Sequence, residues 1–414
     1  MFAASEVIPV QELAVRRRKC LELLQERQPQ AGGMFVFSRI NIYYFTGTFA
    51  IGALWLPLAG SPVLFVRKGM ERALLEAPGL NVAVYKSYSE LPGLAAEYKS
   101  PLTRTLAVEQ NGLNWSLGLN LAKKLVGYAI SPADDVLARV RSVKSPWEQA
   151  KLRICGSRQH QGQCVELPAC ISVGMSEYEI SRRLWDIFFS KGHSGLGRMA
   201  GMGEESFLGV VCTGENSLYP NYYNGPIGVK GVHPAATYMG FAGSIWKRGE
   251  FLVTDLNFTY EGYNTDKTQA FFAGKSADMP VKALRAHECC LNMQYVLASD
   301  LKPGAVPQEL YRKVLAMADK AGFAEGFMGI GGNRVPFVGH GIGLNVDEFP
   351  VFAERFVEPL QAGMAVALEP KISVPGVGML GVENVFIIGG NRAECITLEN
   401  ASLTDTAGAV ICIE

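Results

Sequence analysis

The sequence lacks an excess of charge of either sign, because 39 residues are Lys or Arg and 39 are Asp or Glu. A general electrostatic attraction to nucleic acid or to an anionic membrane is therefore not expected. Charged residues make up only 19% of the chain and hydrophobic residues 48%, which excludes wholesale disorder and allows a sizeable core. At roughly 100–200 residues per domain, the length of 414 residues predicts two domains or three.

The nine cysteines lack the CxxC pairs and the spacing of zinc fingers, and their number is odd. We interpret them as reduced thiols of a cytoplasmic protein. No basic segment followed by an apolar one opens the sequence, so no signal peptide is evident. The uncharged stretch from Asn41 to Val66 is long enough to raise the question of a membrane helix, but its glycines and prolines fit two or three short buried strands better.

The first 140 residues alternate apolar runs with helical patterns, which predicts a small α/β domain over residues 1–142. No internal repeat and no low-complexity tract interrupts this pattern. The predicted elements are helices at Val10–Gln28 and Trp115–Leu125, and strands at Gly33–Ser38, Ser61–Val66 and Thr105–Val108.

The second domain is predicted to span residues 143–414, because a strong helix start follows this boundary. Ser145 is a good N-cap, Pro146 fits the first helical position and Glu148 completes a capping box. Further helices are predicted from Ser176 to about Lys191, at Pro280–Leu301 and at Pro307–Ala321. Glycine-rich, strand-like segments separate these helices, so the predicted class is α+β.

An apolar segment from Phe251 to Thr268 carries two aspartates on either side of a turn. With a two-residue loop at Tyr260-Glu261, Asp255 and Asp266 would face each other, with Cβ atoms roughly 4.5–5.5 Å apart. Two carboxylates so placed repel each other unless a cation lies between them. The alternatives are that one is protonated or that the hairpin has another register.

A second apolar segment places Glu369 and Glu383 symmetrically about Gly376, so a three-residue loop would bring them opposite each other. His340 lies in a glycine-rich apolar stretch and can join the four acids. The charge of four carboxylates would be balanced by two divalent metal ions. Oxygen ligands with one nitrogen favour Mn²⁺, Co²⁺ or Fe²⁺, and Zn²⁺ is also compatible.

These residues resemble the ligand set of the creatinase, aminopeptidase P, prolidase and methionine aminopeptidase family, the M24 "pita-bread" metallopeptidases. The family order is Asp, Asp, His, Glu, Glu, and the sequence repeats it at Asp255, Asp266, His340, Glu369 and Glu383. The resemblance implies a C-terminal pita-bread catalytic domain, a smaller creatinase-like N-terminal α/β domain and a homodimer.

The resemblance also implies roles for these residues. Asp266 and Glu383 would bridge the two metals, Asp255 would hold one of them, and His340 with Glu369 would hold the other. A hydroxide between the metals would attack the carbonyl of a small peptide, and Glu369 would shuttle the proton. Thr268 is similar to a family threonine that orients the second aspartate.

Three positions depart from the family pattern, all of them in the shell that would contact substrate. Asp347 and Asn221 stand where histidines are usual, and Gln269 stands where an arginine is usual. His233 is a rival for the upstream histidine, or else a loop histidine outside catalysis. Asp347 is either a general base or a salt-bridge partner.

The predicted function is a metal-dependent hydrolase of small peptides, of the Xaa-Pro dipeptidase or aminopeptidase P type, with Glu369, Asp347 and His233 as candidate catalytic residues. One alternative is a non-peptidase C–N hydrolase or lyase on the same fold. Another is a pseudoenzyme or binding module that has kept the metal ligands.

Overall fold

The computed structural model describes residues 2–201, 205–398 and 408–414, and the chain divides into two units, Met1–Arg141 and Ser142–Glu414. Both units combine helices with sheets, so the predicted mixture of α and β structure is confirmed. Among the described residues, none of the helices has the length and apolar character needed to cross a membrane. All nine cysteines are free thiols, as predicted.

The described residues of the first unit form six strands and six α-helices. The strands β1 to β6 are Gly33–Val36, Gly52–Pro57, Val63–Val66, Asn81–Val84, Thr105–Val108 and Ala129–Pro132. The helices α1 to α6 are Val10–Arg27, Arg39–Thr46, Met70–Glu76, Leu91–Glu97, Trp115–Lys124 and Asp134–Ser142. The strands form one mixed sheet in the order β4-β3-β2-β1-β5-β6, with Phe35, Trp55 and Phe65 in its core.

The uncharged stretch from Asn41 to Val66 contains the two strands β2 and β3, but its opening residues belong to helix α2. The side chain of Ser38 accepts a hydrogen bond from the backbone N–H of Asn41 and so caps this helix. Gly47 ends it in the left-handed conformation, with φ +83°. The strand-like composition of the stretch therefore predicts the wrong structure for residues 41–46, which are helical.

The described residues of the second unit contain four α-helices and thirteen strands. The helices α7 to α10 are Pro146–His160, Glu177–Ser190, Val281–Asp300 and Pro307–Lys320. The strands β7 to β19 are Gly197–Arg198, Glu205–Ser206, Gly209–Thr213, Phe251–Tyr260, Tyr263–Ala273, Phe337–Gly341, Glu348–Ala353, Ala365–Leu368, Lys371–Val374, Gly378–Gly381, Asn384–Ile388, Ala393–Cys395 and Ile411–Ile413.

Two sheets of the second unit carry the polar residues of interest. One has the order β19-β11-β10-β9 and the other the order β13-β12-β14-β17-β18, while β15 and β16 form a short hairpin. Helix α7 packs against the β10–β11 hairpin. The predicted capping boxes at Ser145 and Ser176 are both present, so these helix starts are confirmed.

His193 is a buried histidine that links helix α8 to strand β10. Its Nδ1 accepts a hydrogen bond of 2.8 Å from the backbone N–H of Thr259, and its ring packs against Phe188 and Phe258. Burial lowers the pKa of His193 from 6.5 to about 4. The ring is therefore neutral in the folded protein at neutral pH.

We expect the free energy of unfolding to fall by about 3 kcal/mol between pH 6.5 and pH 4 on account of His193, because only the unfolded state binds its proton in that range. The contribution is complete above pH 6.5 and is lost as the pH falls towards 4. Urea unfolding across this range should show a shallower pH dependence for His193→Gln than for the wild type. Parallel curves for the two proteins would contradict the assignment.

Candidate metal centre

The β10–β11 hairpin brings Asp255 and Asp266 to the same face of the sheet, but not directly opposite each other. Asp255 pairs with Thr268, and Asp266 pairs with Asn257. The predicted register was wrong by two residues, because the two-residue loop is Glu261-Gly262 and not Tyr260-Glu261. Glu261 and Gly262 have φ of +50° and +84°, as a type I′ turn requires. The two aspartates are therefore diagonal neighbours.

Glu369 and Glu383 lie opposite each other, as the symmetry about Gly376 predicts. On one side of them Leu368 pairs with Asn384, and on the other side Lys371 pairs with Gly381. Both glutamates lie just outside these paired segments and are buried, with exposed fractions of 4% and 1%. The register of this second hairpin is confirmed.

His340 lies on β12 beside strand β14, where it pairs with Ala367. Its Nδ1 is 3.0 Å from the carbonyl oxygen of Gly341, which leaves Nε2 to face the acids. Nε2 is 3.7 Å from Oε1 of Glu369 and 3.9 Å from Oε1 of Glu383. Ligand atoms of Asp266, His340 and Glu383 all lie within 4.8 Å of one another, a spacing that suits one metal ion.

Lys371 is a member of this cluster that the sequence analysis did not identify. Its side chain is fully buried, and Nζ donates to Oε2 of Glu369 at 2.7 Å and to Oε2 of Glu383 at 2.8 Å. Oδ2 of Asp255 is 3.6 Å from the same nitrogen. Glu369 and Lys371 are the two charged residues of the apolar run 364–374, and their spacing of two places them on one face of an extended chain. That spacing was the available signal.

Thr268 holds two of the acids from beside the cluster. Its hydroxyl donates to Oδ1 of Asp255 at 2.6 Å and lies 3.0 Å from Oε2 of Glu383. The prediction from the family resemblance linked this threonine to Asp266 instead. The pairing of Thr268 with Asp255 in the hairpin explains the difference.

Burial and mutual repulsion set the protonation of the cluster. Burial raises the pKa of Asp255 to about 6, with Lys371 opposing this rise and Glu383 adding to it. Burial, followed by the charges of Glu383 and Asp255, raises the pKa of Asp266 well above its ordinary value. Burial alone would lower the pKa of Lys371, but three surrounding carboxylates raise it well above its usual range.

One atom of the cluster points to a bound cation. Oε1 of Glu383 is buried and has no hydrogen-bond partner among the described residues. A buried carboxylate oxygen without a partner is costly, and a cation beside Asp266 and His340 would satisfy it. The donor set of carboxylates and one imidazole therefore fits a divalent ion at this position.

The acids and His340 line a cavity of about 530 Å³ within the second unit, a volume that suits a small organic ligand. Five aromatic residues also line it, namely Tyr222, Tyr223, Tyr238, Phe337 and Phe349.

Asp347 also lines this cavity, and its Oδ1 accepts a hydrogen bond of 2.6 Å from the backbone N–H of Ala200. Burial raises the pKa of Asp347, an effect that this N–H and His340 oppose. The neighbouring Glu348 forms a buried ion pair of 3.1 Å with Lys144. Asp347 is thus fixed through one oxygen at the cavity wall.

The structure does not bring His233, Asn221 or Gln269 to the cavity wall. His233 is exposed, and its Nδ1 accepts a hydrogen bond from the N–H of Ala235 two residues on, within the same turn. Asn221 donates to two carbonyl groups of its own loop, and Gln269 donates to the carbonyl groups of Ala270 and Ala409. The candidate catalytic role of His233 therefore lacks the required placement.

Comparison with known proteins gives the same division of the chain. Residues 16–143 match the creatinase/prolidase N-terminal domain, and residues 150–389 match the metallopeptidase family M24. The second match covers more than half of the chain and includes all five predicted ligands.

Relatives and solved structures extend the match over nearly the whole length. The Xaa-Pro dipeptidase of Pyrococcus furiosus is 23% identical over 365 residues, which cover 88% of this chain and 92% of that protein. The putative dipeptidase YkvY of Bacillus subtilis is 26% identical, with coverage of 88% and 92%. The crystal structure of the dipeptidase PepE from Mycobacterium ulcerans has a TM-score of 0.78 at 22% identity, with coverage of 99% and 100%. At this identity the structural likeness establishes the fold alone.

We expect Mn²⁺ added to chelator-treated protein to raise the melting temperature by about 5 °C, because the ion relieves repulsion among buried carboxylates. Asp266→Asn should remove most of this increase. The exposed Asp319→Asn on α10 is the matched control and should respond like the wild type. If no divalent ion changed the melting temperature of the wild type, the result would contradict the metal site.

Proposed function

The chain belongs to metallopeptidase family M24, and we propose on that basis that it hydrolyses a small peptide, with Xaa-Pro dipeptides as the substrate class to test. The observation that carries the proposal is the convergence of Asp266, His340, Glu369 and Glu383 on one wall of a 530 Å³ cavity. A dipeptide fits a cavity of this size. The Pyrococcus relatives named as Xaa-Pro dipeptidases support the choice of substrate.

A divalent ion in this site would supply Lewis-acid chemistry, polarising the scissile carbonyl and lowering the pKa of water. Asp266, His340 and Glu383 would hold the ion. Glu369 is the group we assign to proton transfer from water to the leaving amine, because its Oε1 faces His340 while Lys371 fixes its Oε2. Mn²⁺ is the first ion to test, followed by Co²⁺, Fe²⁺ and Zn²⁺.

The rest of the cavity wall favours a second candidate, a C–N hydrolase whose substrate is not a peptide. Among the described residues that line the cavity, His340 is the only histidine. The additional histidines expected from the family resemblance are replaced there by Asp347, or lie outside the cavity as His233 does. A substrate panel that includes cyclic amides and amidines separates the two candidates. The homodimer and the cytoplasmic location stay predictions of the sequence.

With Mn²⁺ present, the wild type should release proline from Xaa-Pro dipeptides. Glu369→Gln should lower kcat by about 10²–10⁴-fold, because the amide still fills the site but transfers no proton. The exposed Glu325→Gln is the matched control and should keep wild-type turnover. Cleavage of a non-peptide amide with no proline release would select the second candidate instead.

Asp347→Asn tests how the free amino group of a dipeptide is bound. The Asp347 carboxylate is fixed at the cavity wall, and we propose that its second oxygen accepts from the substrate ammonium. The variant should raise KM for dipeptides about 10-fold or more and leave kcat within a few-fold. A large fall in kcat at constant KM would instead assign Asp347 as a general base.

A further inference from the structure

Lys371 lies among three carboxylates of the cluster. Its side chain is fully buried, and Nζ contacts oxygens of Glu369, Glu383 and Asp255 at 2.7, 2.8 and 3.6 Å. The cross-strand partner is Gly381, and a Cβ there would lie 2.9 Å from Cγ of Lys371. Because Gly381 has no side chain, the hairpin has room for the side chain of Lys371 to extend to the acids.

Lys371 divides the cluster into two sides. Each glutamate gives one oxygen, Oε2, to the ammonium, and the other oxygen, Oε1, faces Nε2 of His340 at 3.7 or 3.9 Å. On the lysine side, Oδ1 of Asp255 and Oε2 of Glu383 are also within 3.0 Å of the Thr268 hydroxyl. On the His340 side, Oε1 of Glu383 has no hydrogen-bond partner among the described residues.

We propose that the ammonium of Lys371 takes the place of a second metal ion, so that the chain binds one divalent ion. The inference deepens the proposed function and relies on it only for the metal site on the His340 side. A second ion held by Asp255 and Glu383 would need the same oxygens that accept from Lys371 and lie against Thr268. It would also lie next to the ammonium, and two cations so close repel each other.

Lys371 is then also a positioning residue for the single ion. By holding Oε2 of both glutamates, it turns their Oε1 atoms towards Nε2 of His340. Asp266, His340 and Glu383 remain to hold the ion, and Oε1 of Glu369 stays available for proton transfer. The positive charge of the ammonium also offsets the carboxylate of Asp255, which no longer has a metal to bind.

The test is the number of metal ions per chain. Wild-type protein loaded with Mn²⁺ and desalted should contain one ion by mass spectrometry, with the six-line electron paramagnetic resonance spectrum of an isolated Mn²⁺. Lys371→Met should bind two ions and gain the spectrum of an exchange-coupled pair, because removal of the ammonium frees the oxygens of Asp255, Glu369 and Glu383. Lys371→Arg keeps the charge and should stay at one ion.

Lys267→Met is the matched control for loss of a buried lysine. Lys267 is fully buried in the same hairpin as Asp266, but its Nζ donates to Oδ1 of Asn384 at 2.6 Å. This variant should bind one ion. Two ions in the wild type would overturn the proposal even if Lys371→Met does not fold, and so would a folded Lys371→Met that still binds one.

Metal counting also separates this inference from the proposed function. One ion in the wild type and two in Lys371→Met, with no hydrolysis of any dipeptide, would support the role of Lys371 and reject the peptidase. Dipeptide hydrolysis by a wild type that holds two ions would support the peptidase and reject the role of Lys371.

Discussion

Ionised carboxylates inside an apolar sheet are costly unless positive charge lies among them, and this constraint shapes the centre of the second unit. Asp255, Asp266, Glu369 and Glu383 meet where strands β10, β11, β14 and β17 come together. The fold supplies one positive charge itself, through the fully buried Lys371. The oxygen of Glu383 that Lys371 does not contact has no hydrogen-bond partner among the described residues. The protein thus satisfies part of the cluster and leaves the rest to an added cation.

Backbone pairing accounts for the way in which residues far apart in sequence meet at this point. Asp255 and Asp266 are carried by one hairpin, Glu369 and Glu383 by another, and His340 by the strand next to β14. Side chains alternate across a strand, so each register sends its acids to the cavity and the residues between them to the opposite face of the sheet. The rest of the cavity wall, in contrast, comes largely from loops, whose conformation is less strictly tied to the pairing of strands.

That the four acids and His340 lie together at one cavity could be predicted from the sequence, because spacing in apolar hairpins is a strong signal, but the contacts around them could not. The symmetry about Gly376 gave the correct register for Glu369 and Glu383. In the first hairpin the predicted pairing partner of each residue was two positions away from the observed one. The flanking pattern is equally compatible with a turn at Glu261-Gly262 and with one at Tyr260-Glu261. His233 could not be placed, because loop histidines carry no periodicity.

Lys371 shows why a matching ligand set does not by itself fix the chemistry of a site. A list of five metal ligands records which oxygens and nitrogens are present, but not which of their lone pairs are already used. An ammonium and a divalent ion both neutralise carboxylates, yet only the ion has open positions that accept water or a carbonyl oxygen. An ammonium offers hydrogen bonds alone, and those of Lys371 are directed at Glu369 and Glu383. Exchange of one ion for a lysine would therefore keep the cluster folded while it concentrates the Lewis acidity on the side of His340.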